Sequence, residues 1–147
     1  MKTTTIKTLL LAVSLITYSG SNFASNNCIK GYTQTDVCKV ARDFSDKVAP
    51  SLPMKMSQNM TWESVAAAGT IVIAKIRLST NKNNLQTTYK NAGLPLSSAE
   101  AAMAKSAQNV CNTKAIKSFI NFGGTFRYIY TFIDGEQFTT IDVKDCN

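Results

Sequence analysis

Histidine is absent from the 147-residue sequence, and this absence excludes more chemistry than any other feature of the composition. Histidine is the commonest general base, a usual zinc ligand and a member of the common serine and cysteine catalytic triads. The chain also lacks a G-x-S-x-G nucleophile elbow, a phosphate-binding loop, a dinucleotide fingerprint and a calcium loop. The sequence therefore predicts no catalytic residue, no metal ion and no cofactor.

Long apolar runs are scarce, and the longest lies near the N-terminus, over residues 9–18. Two lysines precede this run, and small or polar residues follow it as far as Ala24. This order is typical of a secretory signal peptide, and the run is too short to span a bilayer core of about 30 Å. We predict a signal peptide over residues 1–24, with cleavage after Ser21 as the alternative, and a periplasmic or secreted location.

Acidic residues are few, with nine of them against 16 lysine and arginine residues and a net charge of +7. Removal of residues 1–24 would remove two lysines and no acid, which leaves 14 basic and nine acidic residues and a net charge of +5. No arginine-rich run or aromatic–basic cluster indicates a nucleic-acid partner. An acidic partner or an anionic membrane surface remains open.

The four cysteines, Cys28, Cys38, Cys111 and Cys146, form an even number in a chain predicted to be exported, which favours two disulfides. No pair has the C-x-x-C spacing that is typical of zinc ligands. Of the three possible pairings we predict Cys28–Cys38, which closes a short loop onto a helix. The second predicted bridge, Cys111–Cys146, joins the end of a late helix to the last strand.

Hydrophobic periodicity divides the rest of the chain into helices and strands. The predicted helical segments are 35–48, 98–110 and 113–120, and the first two predicted strands are 61–67 and 70–79. In the second of these strands, alternate apolar residues predict one buried face, while the other face is mixed and half exposed. The asparagine-containing segments 81–84 and 91–93 are interpreted as loops.

The last third of the chain predicts a β-hairpin, because Asp134 and Gly135 lie between two alternating runs. A two-residue turn at this point places Arg127 opposite Asp142, as a cross-strand ion pair. The face opposite Arg127 is rich in large apolar groups, and we expect it to pack on the helices. Its members on the first strand are Phe126, Tyr128, Tyr130 and Phe132.

The elements together read α-β-β-α-β-β, which predicts an α+β fold. We expect a small antiparallel sheet of about four strands, with helices packed on one face and two disulfides that stabilise the fold. Residues 25–147 are predicted to form one domain.

Because no catalytic motif is present, the candidate site is a binding surface. A groove is expected where the aromatic face of the hairpin meets the helices, lined by Tyr128, Tyr130, Phe132, Met103 and Phe119. On the outer face, Lys75 and Arg77 are candidates for contact with an acidic partner. The carboxylates of Asp134, Glu136 and Asp142 are the remaining route to an enzyme, as a small hydrolase that works through a pair of acids.

A diffuse set of positions between 52 and 146 carries a resemblance to a known family. These positions are Leu52-Pro53-Met54, Thr61, Val65, Gly69, Cys111, the segment 119–124, Tyr128-x-Tyr130, Asp134-Gly135, Ile141 and Cys146. With them the chain resembles small exported bacterial proteins that include the AspS-type (GspS-beta) pilotins of type II secretion. The resemblance implies an α/β domain with a Cys111–Cys146 disulfide. It also implies a non-enzymatic role, in which an apolar groove binds a short segment of a secretin subunit and escorts it to the outer membrane.

The leading hypothesis from the sequence is therefore a non-enzymatic periplasmic binding protein. Its expected partner is another protein or peptide, with a segment of a secretin subunit as the candidate, and peripheral association with the outer membrane stays open. Such pilotins are usually lipoproteins that are acylated on a cysteine within a lipobox. In this chain the residues before Cys28 are Ser25-Asn26-Asn27, which do not form a lipobox. The alternative hypothesis is an inhibitor or immunity-type protein that binds a periplasmic or secreted enzyme.

Overall fold

The computed structural model describes residues 28–30 and 34–146, which form four α-helices, a five-stranded sheet and a two-stranded ribbon. In chain order the elements are β1 (Ile29–Lys30), β2 (Thr35–Asp36), α1 (Val37–Val48), β3 (Met54–Ser57), β4 (Met60–Ala68), β5 (Ile71–Leu78), α2 (Lys82–Asn91), α3 (Ser97–Ala107), α4 (Lys114–Asn121), β6 (Thr125–Thr131) and β7 (Gln137–Val143). The predicted α+β class is confirmed. The predicted signal peptide lies outside the described residues.

The sheet has the strand order β3-β4-β5-β6-β7, and it is antiparallel except between β5 and β6, which are parallel. The sheet is mostly antiparallel, as expected, but it has one strand more than the expected number of about four, and its β5–β6 pair is parallel. The parallel pair exists because α2, α3 and α4 return the chain to the starting end of β5 before β6 begins. The sequence missed β3 because its four residues are all exposed and show no buried alternation.

One hydrophobic core lies between the sheet and the four helices. Along β5 the buried side chains alternate as predicted, as do those of β6. The two strands contribute Val72, Ala74, Ile76, Leu78, Phe126, Tyr128 and Tyr130, and the helices contribute Val37, Ala41, Ala107, Phe119 and Ile120. Because full burial of a large apolar side chain contributes about 1.5–3 kcal/mol, these two strands form the main stabilising layer.

Side-chain caps explain where two of the helices begin. The carboxylate of Asp36 accepts a hydrogen bond from the Lys39 backbone N–H at 2.9 Å, so α1 starts two residues later than predicted. In the same way the side chain of Asn81 accepts from the Asn84 backbone N–H at 2.8 Å. The segment from 81 to 84 is therefore the start of α2, and the prediction of a loop there was wrong.

The β6–β7 hairpin confirms the predicted pairing of Arg127 with Asp142, which share two hydrogen bonds of 2.6 and 2.8 Å. The turn differs from the prediction. The Phe132 N–H donates to the Glu136 carbonyl at 2.8 Å, so the loop holds three residues and the register shifts after Tyr130. Gly135 adopts a φ of +88°, the left-handed conformation that a three-residue hairpin loop requires.

Both predicted disulfides are present, Cys28–Cys38 and Cys111–Cys146. The first joins the strand β1 region to the first turn of α1. The second fastens the segment after α3 to the residues that follow β7. Cys28 and Cys38 also lie within 4.8 Å of a carboxylate oxygen of Asp36, but their sulfur atoms are bonded to each other and offer no thiolate to a metal ion.

Candidate functional site

An apolar concave surface of the described chain is a groove between α1 and α4. It consists of two cavities, of about 170 and 70 Å³, which adjoin because both are lined by Val40, Ala115 and Phe119. We call it the α1–α4 groove, and its lining residues are Thr35, Val37, Val40, Phe44, Ala115, Ile116, Ser118, Phe119, Phe122 and Phe126.

The groove forms because each of the two helices has an apolar stripe that is only partly covered by the other. Val37 on α1 and Phe119 on α4 are buried beneath it. Val40 and Phe122 lie on the rim, where 38 % and 41 % of their surfaces remain exposed. Apolar residues at spacings of three and four place these side chains along one face of each helix. The result is an apolar strip that is open to solvent.

Aromatic packing fixes the deep end of the groove. The ring of Phe44 meets the ring of Phe126 edge to face, with 5.5 Å between the centroids. Gly124, which precedes β6, lies directly against the Phe119 ring, and a methyl group there would collide with it. The close approach of this glycine therefore lets Phe119 turn into the space between the helices.

No residue that lines the α1–α4 groove is titratable, and its polar side chains are the hydroxyls of Thr35 and Ser118. A surface of this composition offers no general acid or base. Its available free energy is that of apolar burial, so it is suited to bind an apolar side chain or a row of them.

A separate cavity, of about 520 Å³, lies where the carboxyl end of β5 meets α2 and α3. Its lining mixes hydroxyl and amide groups with aliphatic side chains, namely Ser57, Asn59, Met60, Leu78, Ser79, Thr80, Leu85, Thr88 and Met103. None of these side chains is an acid or a base. Lys82 lies three residues after Ser79, which is the S-x-x-K spacing used by serine–lysine hydrolases.

The environment of Lys82 does not suit such a reaction. Its ammonium donates to the Glu136 carboxylate at 2.7 Å, and this bond raises the pKa of Lys82 above its ordinary value. A lysine held as a cation cannot accept the proton of a serine hydroxyl. The contact therefore serves to join α2 to the β6–β7 hairpin.

The structure separates the five residues that were expected to line one groove. Tyr128, Tyr130 and Phe132 are at most 9 % exposed and belong to the core, beneath the helices. Burial raises the pKa of both tyrosine hydroxyls. Of the other two, Phe119 lines the α1–α4 groove and Met103 lines the separate cavity of about 520 Å³.

The signal that identifies the groove was partly present in the sequence. Phe119 was predicted to line a groove, but with the aromatic face of the hairpin rather than with α1. Ala115 and Phe122 were missed because a small residue and a residue beyond the helix end give no periodic signal.

On the outer face of the sheet, Lys75 and Arg77 share one acidic partner. A β-bulge in β4 turns Glu63 towards them, with nitrogen–oxygen distances of 3.9 Å to Lys75 and 2.9 Å to Arg77. The Glu63 carboxylate therefore offsets part of the positive charge that an acidic partner would meet. Their role in binding stays a prediction.

The three candidate carboxylates each have a structural partner of their own. Asp142 binds Arg127, which lowers the pKa of that carboxyl below its ordinary value. Glu136 binds Lys82, and Asp134 accepts the Glu136 backbone N–H at 3.1 Å within the turn. The contacts stabilise the hairpin and do not assemble a pair of acids around a common substrate position.

No family model matches the chain, and no curated protein sequence matches it. Solved structures do match its fold. The pilotin EpsS of the type 2 secretion system of Vibrio vulnificus superposes with a TM-score of 0.58 at 12 % identity, over 76 % of this chain and 92 % of that one. The type II secretion pilotin AspS of Vibrio cholerae gives 0.56 at 18 % identity, over 74 % and 88 %.

A third similar structure is a candidate secreted protein from Pseudomonas aeruginosa. Its TM-score is 0.57 at 13 % identity, over 76 % of this chain and 93 % of that one. The three matches confirm that the chain shares the pilotin fold, as the resemblance in its sequence implied. None of the helices in the described part of the chain has the length and apolar character needed to cross a bilayer.

Proposed function

We propose that the protein is a non-enzymatic, pilotin-like factor that binds a short apolar segment of a secretin subunit in the α1–α4 groove. The observation that carries this proposal is the uncharged groove itself, with Val40 and Phe122 exposed on its rim. The fold shared with EpsS and AspS supports a secretin as the source of the segment. The proposal places the chain in the periplasm, with residues 1–24 as its signal peptide.

The shape of the groove favours a helical segment as its ligand. A groove between two helices accepts an amphipathic helix, whose apolar side chains recur at spacings of three and four. Two or three buried anchors of about 1.5–3 kcal/mol each, reduced by an association cost of about 4 kcal/mol or more, correspond to weak binding, with a dissociation constant of about 0.2 mM or higher.

A pair of matched substitutions tests the site. Val40→Asp places a carboxylate on the rim of the groove, and Ile133→Asp places the same charge on the hairpin loop, at a side chain that is also exposed. With a C-terminal peptide of a type II secretin as ligand, we expect Val40→Asp to weaken binding by about tenfold or more, because the charge must be desolvated. Ile133→Asp should leave the dissociation constant unchanged. Fluorescence anisotropy of a labelled peptide measures both.

A second variant blocks the groove without introducing a charge. Ala115 lines both parts of the groove, so Ala115→Trp should fill it with a neutral side chain and abolish binding. Circular dichroism of each variant establishes that it is folded. Equal affinities for the Val40 and Ile133 variants, or unchanged binding by the Ala115 variant, would exclude the α1–α4 groove as the peptide site. Absence of binding by the folded wild-type chain with both disulfides intact would refute the proposed function.

A further inference from the structure

The excess positive charge of the protein is concentrated in the crossover between β5 and β6. Residues 82–121 contain five lysines, and their only acidic residue is Glu100. All five lysines are exposed. Lys82 is paired with Glu136, which leaves Lys90, Lys105, Lys114 and Lys117, and we call these four residues the lysine surface.

The rest of the described chain pairs many of its cations with carboxylates. On the outer face of the sheet, Glu63 faces Lys75 and Arg77, and Asp142 faces Arg127 and Lys144. By contrast, within residues 28–30 and 34–146, no carboxylate lies within 4.0 Å of any amine of the lysine surface. Its charge is therefore available to an external anion.

Helical geometry directs Lys105 and Lys114 to the outer side of the helical layer, and Lys90 and Lys117 are also exposed. All the helices pack on one face of the sheet, so their opposite sides face solvent. Lys105 follows the inward-facing Met103 by two positions, and Lys114 precedes the inward-facing Ile116 by two. Two positions correspond to a rotation of about 200° around a helix, which directs both amines away from the core.

We propose that the lysine surface binds the headgroup layer of an anionic phospholipid membrane. None of the four lysines lines any of the three cavities described above, so none of these cavities would direct a single anionic group to them. Dispersed point charges instead match the dispersed charge of a lipid surface. Leu94, which is 49 % exposed and lies in the loop after α2, four residues after Lys90, provides an apolar side chain for the interface.

Vesicle sedimentation of the purified chain tests this proposal. The probes are vesicles of phosphatidylethanolamine mixed with phosphatidylglycerol, and vesicles of phosphatidylcholine alone. We expect binding to the first and none to the second. Raising the salt concentration from about 0.1 M to about 1 M should release the protein, because the Debye length falls from about 10 Å to about 3 Å.

A matched pair of charge variants locates the binding surface. Replacing Lys90, Lys105, Lys114 and Lys117 with glutamine should lower the partition coefficient by about fivefold per lysine, or more than about a hundredfold in total. The control replaces Lys39, Lys47, Lys55 and Lys144, which are all exposed, with glutamine. It removes the same net charge from positions outside the crossover and should retain most of the binding.

Three results would overturn the proposal. Equal losses in the two variants would show that net charge alone drives binding. Equal binding to phosphatidylcholine would show that the anionic headgroup plays no part. Absence of vesicle binding, together with binding of polyglutamate that only the lysine-surface variant loses, would assign the surface to an acidic protein instead.

Discussion

At the scale of single residues, the stacked tyrosines of β6 belong to the core and have their titration set by burial. The Tyr128 ring lies 5.2 Å from Phe126 and 6.2 Å from Tyr130, centroid to centroid. Desolvation disfavours the phenolate, so the pKa of each tyrosine is raised above its ordinary value of about 10.

This burial predicts a loss of stability at alkaline pH. Above a pH of about 10, the unfolded chain loses phenolic protons that the folded chain retains, so the free energy of unfolding falls as the pH rises. We expect Tyr128 and Tyr130 to ionise only as the protein unfolds, when phenolate absorbance and near-UV circular dichroism are followed together. Tyr128→Phe should move the alkaline midpoint upward. Full ionisation of Tyr128 and Tyr130 with native dichroism retained would contradict this account.

Gly124 links the core to the α1–α4 groove through a single contact. A Cβ atom at this position would overlap the Phe119 ring, which lines the groove. The backbone of Gly124 is not in the left-handed region, so the constraint is one of space alone.

We therefore expect Gly124→Ala to destabilise the protein by about 1–3 kcal/mol, as overpacking of a filled core does. Urea unfolding measures the change in free energy. The double variant Gly124→Ala/Phe119→Leu should recover part of it relative to Phe119→Leu alone, because the smaller side chain leaves room for the methyl group. A Gly124 variant as stable as the wild type would show that the ring moves freely.

At the scale of elements, the sequence predicted the helices and strands that have a strong periodic hydrophobic pattern and missed the elements that lack one. The alternation along β5 and β6 and the stripe of α1 are visible because one face of each is buried. α2 was missed because its first turn is rich in asparagine, a residue that starts helices as well as loops. The hairpin loop was predicted one residue too short, because Asp134-Gly135 suits both a two-residue and a three-residue turn.

The disulfides stabilise two pairs of elements to different extents. Cys111 and Cys146 are separated by 35 residues, and Cys28 and Cys38 by 10. In the chain-entropy model, replacing the first pair with serine should cost about 4 kcal/mol and replacing the second about 3 kcal/mol. Urea unfolding of the two double variants measures the difference. A greater loss for the Cys28–Cys38 variant would show that native contacts, rather than loop length, set the cost.

At the scale of the whole molecule, the groove and the lysine surface both depend on the long crossover between β5 and β6. This connection brings α4 beside α1, although the two helices lie far apart in the chain. The sequence predicted both helices and identified Phe119, but nothing local specified that they are neighbours. It also predicted a modest positive charge without locating it. Tertiary arrangement therefore accounts for what the sequence could not predict about the site.

The central claim is that a secretin segment binds between α1 and α4. The most direct test is a titration of the isotopically labelled protein with a C-terminal secretin peptide, followed by NMR. The account predicts chemical-shift changes concentrated at groove residues such as Val40, Ala115 and Phe122, with the amides of the outer sheet face unmoved. Changes centred on the cavity beside Met103, or no changes with the folded protein, would contradict it.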